Sequence, residues 1–221
     1  MQKAYALFDF DGTILSGDSI LLFCLYARKQ GLCSPREFRR GVWAGVRYVL
    51  GLSTAEKSKR AALAFVRGHS QAKLSHISQA FYQEVLRPRL RGQALAQLES
   101  HRKDGVEILL ITASPSFYLE PLKSDLGIQS VIGTRMDFDR NGNATGLICG
   151  ENCKGLQKPL RLAEYLAATG DRLAYEKSYA YGDSASDMPM LALCAYKVGV
   201  NAKPGLKKKL RHAEGARFVR W

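Results

Sequence analysis

The chain has 221 residues, with 46% hydrophobic, 24% charged and 10% aromatic residues, an ordinary globular composition that excludes disorder, collagen and a disulfide miniprotein. Its length allows one large domain, or one domain with an inserted companion. The formal net charge of +13 favours anionic partners of some kind: nucleic acid, a membrane surface or phosphorylated small molecules.

Met1-Gln2-Lys3 leads directly into strand-like Ala4-Tyr5-Ala6-Leu7-Phe8, with no signal-peptide pattern, so a cytoplasmic protein is expected. The apolar run ends in Asp9-Phe10-Asp11-Gly12-Thr13. Two carboxylates at i and i+2 on a strand exit can face one pocket, and their mutual repulsion calls for a cation or a shared proton. A solvated acidic turn is the plainer reading of that motif alone.

From 16 to 87 the pattern is helical, broken by Gly31, Pro35, Gly41, Gly51 and a turn at Gly68. Twelve basic residues against four acidic ones give this stretch an excess of +8. A helical insert after the first strand of an α/β core reads as a cap domain. Segment 41–52, with Trp43, Arg47 and Tyr48, is the longest apolar stretch. It is too short to span a bilayer. It is read first as ordinary cap core, with membrane contact as the less favoured reading.

Three further apolar runs follow: 107–111 into Thr112, 178–181 into Gly182-Asp183, and 196–200 into Asn201. Helical patterns at 92–103, 116–126, 157–168 and 186–193 lie between them. Strands apolar throughout, alternating with helices, predict a doubly wound α/β parallel sheet. Ligands then bind beyond the carboxyl ends of the strands. The expected division is a core of 1–15 and 88–221 with a helical cap of 16–87.

Gly182-Asp183-Ser184-Ala185-Ser186-Asp187 places an Asp at a strand end and another at the start of a helix, where negative charge is favoured. With Asp9 and Asp11, this makes an oxygen-rich cluster suited to magnesium. Thr112, followed by Ala113-Ser114-Pro115, can hold an anionic oxygen or merely cap a helix. Lys158 can neutralise phosphoryl oxygens, with Lys154 a close rival.

These motifs in this order resemble the haloacid dehalogenase superfamily of phosphohydrolases. The helical insert, Gly17-Asp18-Ser19, the Arg67–Ser70 turn and Asn201-Ala202-Lys203-Pro204 are similar to its phosphoserine-phosphatase-like subfamily IB. The resemblance implies Asp9 as nucleophile and Asp11 as general acid and base. It implies Thr112 and Lys158 on the phosphoryl oxygens. It also implies Mg2+ on Asp9, the Asp11 carbonyl, Asp183 and Asp187. Asp18 and Ser114 would contact substrate. The expected reaction is hydrolysis of a small phosphate monoester, such as phosphoserine, through an aspartyl-phosphate. A lipid phosphate of the phosphatidylglycerophosphate type is the alternative substrate. A non-catalytic basic nucleic-acid-binding module is the alternative class, disfavoured because no aromatic–basic stripe is present.

Other signals are discounted. Asp137–Gly142 opens like a calcium loop, but Ile148 stands where the bidentate Glu belongs, and Asn141-Gly142 reads better as a hairpin turn. The five cysteines have no framework spacing and are expected as thiols. The four histidines are expected in structural or surface roles.

Overall fold

The computed structural model describes all 221 residues. The central strand β1 (Tyr5–Phe8) is buried at every position. Its neighbours are β2 (Glu107–Pro115) and β5 (Tyr179–Gly182), both parallel to it, with Phe8 opposite Leu110 and Tyr181. Beyond β2 lie β3 (Ser130–Phe138) and the antiparallel β4 (Ala144–Cys149). Beyond β5 lie β6 (Tyr196–Val200) and β7 (Ala216–Val219), both parallel. The seven-stranded order is β4-β3-β2-β1-β5-β6-β7.

Alternation along β1 and β2 divides the apolar residues between two layers. Ala6, Phe8, Ile108 and Leu110 face one cluster, and Tyr5, Leu7, Leu109 and Ile111 the other. Helices therefore cover both faces, as the all-apolar strands require. On one face lies α5 (Gly92–Lys103), whose buried His101 places Nε2 2.7 Å from the Tyr181 hydroxyl. On the other lie α7 (Gln157–Thr169), α8 (Met188–Leu191) and α9 (Pro204–Leu210).

Between β1 and β2 run four helices: α1 (Ser19–Lys29), α2 (Pro35–Val49), α3 (Ala55–Ala62) and α4 (Gln71–Phe81). Each starts at a side-chain cap: Asp18, Ser34, Thr54 and Ser70. Such caps satisfy backbone donors that a helix end leaves orphaned. Gly41 lets α2 approach α3 closely, since a Cβ there would lie 3.1 Å from the Ala62 Cα. Phe23 of α1 packs on Phe81 of α4 and on Tyr118 after β2, with ring centroids 5.1 and 5.0 Å apart. One aromatic cluster thus joins the insert to the sheet. The turn before α4 also bonds the β3–β4 hairpin, with Gly68 N–H donating to the Ala144 carbonyl at 2.8 Å.

Several expectations change. The predicted helix 116–126 is a 3-10 turn followed by the short α6 (Leu122–Leu126), because Pro121 interrupts it. β2 continues past Thr112 to Pro115. Strand β7 lies outside the expected set, and β3 and β4 are anticipated only as the β-rich runs flanking the Asn141-Gly142 turn. Segment 41–52 is not cap core: only Gly41 is buried, while Trp43, Val49 and Leu52 are 63%, 83% and 65% exposed. Asn141-Gly142 does lie in the turn between β3 and β4, with Asp139 Oδ1 accepting from the N–H groups of Asn141 and Asn143. All five cysteines are free thiols. No helix is long and apolar enough to cross a membrane.

Candidate active site

The ends of β1, β2 and β5 bring together the polar residues that follow them in sequence. After β1, Asp9 N–H donates to the Tyr181 carbonyl at 2.9 Å, and the chain turns sharply at Gly12, where φ is +82°. Glycine is required twice over there. The left-handed φ disfavours any Cβ, and a Cβ would overlap the Asp183 carboxylate. Gly182 serves the neighbouring loop in the same way, since a Cβ would stand 2.6 Å from that of Asp187.

Asp9, Asp183 and Asp187 are all buried, and each offers an oxygen within 4.8 Å of the others. Lys158, 1% exposed at the start of α7, donates to Asp9 Oδ1 and Asp187 Oδ1, both at 2.6 Å. The other Asp187 oxygen accepts from Ser184 N–H and Ser184 Oγ at 3.0 and 2.8 Å. Burial and repulsion from Asp187 push the Asp9 carboxyl well above its ordinary range, against the pull of Lys158. Burial works upward on Asp187 too, but the Lys158 charge and the Ser184 donors hold it below its ordinary value. The same carboxylates outweigh burial at Lys158 and keep it protonated.

Asp11 lies on the insert side of this cluster. Its carboxylate accepts from Ser19 N–H at 2.6 Å and from the Ser114 hydroxyl. Burial, then the nearby Asp18 charge, push the carboxyl up to about 6. Thr112 Oγ1 accepts from Ser114 N–H at 3.0 Å, which leaves its own O–H free to donate.

The sequence-selected residues thus separate by position. Asp9, Asp183, Asp187 and Lys158 form one buried group. Asp11 and Ser114 adjoin it through a hydrogen bond. Ser114 is 2% exposed, and its hydroxyl bonds the Asp11 carboxylate and lies 2.8 Å from Ser19 Oγ. Asp18 is exposed and caps α1 through Leu21 N–H at 2.9 Å. Lys154 forms no ion pair with these carboxylates and bonds the Tyr48 hydroxyl at 2.6 Å.

Sequence reading passed over several participants. Lys203 Nζ pairs with Asp183 Oδ2 at 2.7 Å, although its motif had been noticed. Ser19 Oγ lies 3.0 Å from Tyr118 OH beside Asp11. Lys59 of α3 is buried and donates to Thr134 Oγ1, Asn152 Oδ1 and Ala113 O, the last lying on β2 between Thr112 and Ser114. Ser19 and Lys203 lie in segments that carry the family resemblance, without a role of their own there, and nothing local marks Lys59.

Three buried carboxylates and two lysines, at the carboxyl ends of a doubly wound α/β sheet, form a site whose chemistry suits an anion and a hard cation. Residues 6–192 match the family model of haloacid dehalogenase-like hydrolases, and the chain belongs to that family. It is 29% identical over 212 residues to a histidinol-phosphatase of Neisseria meningitidis serogroup C, covering 95% of this chain and 96% of that protein. It is 27% identical to a phosphoserine phosphatase of Mycobacterium tuberculosis, covering 94% and 68%. Among solved structures, a Bordetella pertussis protein of unknown function superposes with a TM-score of 0.88 at 31% identity, covering 99% of both chains. A phosphoserine phosphatase carrying an analogue of its phospho-aspartyl intermediate superposes at 0.67 with 20% identity, covering 99% and 94%, and shares the fold.

Proposed function

We propose that the protein is a phosphatase that hydrolyses a small phosphate monoester by way of a phosphorylated Asp9. As a phosphoester hydrolase of this family it is an enzyme, not a non-catalytic basic binding module. The observation that carries the mechanism is Lys158, buried and shared between Asp9 and Asp187 at 2.6 Å each.

An Asp9 oxygen attacks phosphorus, and the bond from phosphorus to the ester oxygen breaks. The departing alkoxide takes the proton of Asp11, whose carboxyl at about 6 is suited to exchange protons near neutrality. Water then attacks the phosphorus, gives its proton to Asp11, and releases inorganic phosphate and free Asp9. Lys158 and the Thr112 hydroxyl hold the phosphoryl oxygens as charge shifts onto them. A carboxylate nucleophile splits one difficult displacement into two easier ones.

The buried, all-oxygen donor set fits a magnesium ion. Asp9, Asp183 and the Asp11 backbone carbonyl would hold it, with Asp187 at its edge. When bound it supplies positive charge that offsets repulsion between Asp9 and the phosphate.

We take 16–87 as a cap that selects the leaving group and 1–15 with 88–221 as the catalytic core. Histidinol phosphate and phosphoserine, the substrates implied by two relatives' names, both carry an amine on the carbon next to the phosphate-bearing one. Asp18 lies near enough to Asp11 to raise its carboxyl. An exposed carboxylate there suits such an ammonium, and a 2-amino-alkyl phosphate is the substrate class favoured.

Hydrolysis of p-nitrophenyl phosphate tests the mechanism. Asp9→Asn should lower turnover at least about a thousandfold with the fold intact, and chelation by EDTA should abolish wild-type activity until Mg2+ is restored. Activity of Asp9→Asn within tenfold of wild type would refute it.

A further inference from the structure

We propose that the outer face of α2 seats the protein on an anionic bilayer surface. The inner side of this helix is spoken for by the close packing of Gly41 on Ala62. The outer side has no partner. Val42, Val46 and Val49, spaced i, i+4 and i+7, form an exposed row along it. Trp43 stands beside the row, and the chain leaves the helix through exposed Leu50 and Leu52.

Basic residues border this apolar strip. Arg36, Arg39, Arg40 and Arg47 are exposed, and none forms an ion pair. The helix has a single acid, Glu37, whose carboxylate accepts from Ser34 N–H at 2.9 Å in the capping box and leaves the outer face uniformly positive.

An apolar row edged by cations, with a tryptophan at its margin, matches the boundary between lipid headgroups and acyl chains. Fifteen residues give a helix of about 22 Å. That is a length to lie along the surface, in a chain with no helix able to cross it. Other occupants fit less well. A second copy meeting this face about a two-fold axis would set arginines against arginines. A nucleic acid would satisfy the arginines but leave the valine row in water. The whole-chain charge of +13 adds attraction toward an anionic leaflet. None of this depends on the proposed reaction.

The test uses the whole protein with vesicles of phosphatidylglycerol and phosphatidylcholine, against phosphatidylcholine alone. With Trp221→Phe, Trp43 is the one remaining tryptophan. The protein should co-sediment with the anionic vesicles and its Trp43 emission should shift to the blue. Val46→Asp/Val49→Asp should remove most of that binding. Arg36→Gln/Arg40→Gln/Arg47→Gln should weaken it about a hundredfold, at about fivefold per charge. Both variants should hydrolyse p-nitrophenyl phosphate at the wild-type rate, which reports an intact fold. Absence of binding to anionic vesicles, equal binding to neutral ones, or binding that survives Val46→Asp/Val49→Asp would overturn the proposal. So would a dimer that the same variant dissolves, which would assign the face to a second copy.

Discussion

Lys158 is the residue on which the most local electrostatics depends. Removing one partner of a buried ion pair leaves the others uncompensated, at a typical cost of about 3–5 kcal/mol. Lys158→Met should therefore lower unfolding free energy in urea by about that amount at neutral pH, and lower kcat by a hundredfold or more. Added Mg2+ should recover part of the stability, because a cation among Asp9, Asp183 and Asp187 replaces the missing charge, but not the turnover. A stability equal to wild type without metal would mean that Lys158 does not hold these carboxylates. Asp18 gives a second prediction at this scale. Because it caps α1, Asp18→Ala would confound binding with about 1 kcal/mol of lost helix stability. Asp18→Asn keeps a good cap and removes only the charge. It should cut kcat/KM for a 2-amino-alkyl phosphate such as phosphoserine about tenfold or more while changing p-nitrophenyl phosphate hydrolysis little. Equal losses on both substrates would assign Asp18 to the site's framework.

Among the elements, α3 is tied to the core by a single buried ammonium. Lys59 donates only to neutral oxygens, those of Ala113, Thr134 and Asn152. Burial lowers it from 10.5 to about 8. Between those values the unfolded chain binds a proton that the folded chain has released, so stability rises with pH there. The contribution is fully unfavourable below pH 8 and is relieved by pH 10.5. Wild type should gain about 3 kcal/mol relative to Lys59→Met across that window, measured by urea unfolding at matched pH. Parallel pH dependences in the two proteins would show that Lys59 is not desolvated. The elements also show what could be read in advance. Tyr5–Phe8 announces a central parallel strand because it is apolar on both faces. The β3–β4 hairpin is legible only as β-rich runs around the Asn141-Gly142 turn, without strand bounds, because Gly133, Arg135 and Gly146 interrupt its apolar pattern. For α2, periodicity groups Val42, Val46 and Val49 on one face, but only the packing of Gly41 on Ala62 decides which face points inward.

At the level of the whole molecule, a carboxylate at a strand end can be found from its own neighbours, as Asp9 and Asp183 were. A contact made across the fold cannot. Lys59 sits in Lys57-Ser58-Lys59-Arg60, indistinguishable there from a solvated basic run. It becomes distinct only when folding carries it to Ala113, 54 residues away. Ser19 reaches Ser114 across 95 residues in the same manner. The insert and the sheet share one aromatic cluster around Phe23, so Asp9, Asp11 and the groups beneath α3 belong to a single connected structure. The central claim is that this structure exists to phosphorylate and dephosphorylate Asp9. Its most direct test is to acid-quench the enzyme during turnover of p-nitrophenyl phosphate with Mg2+, reduce with borohydride, and map the peptides by mass spectrometry. An aspartyl-phosphate is reduced to homoserine, so the account predicts homoserine at position 9 in the active enzyme. A turning-over enzyme that keeps Asp9 unmodified, with the phosphoryl group trapped on another residue, would contradict it.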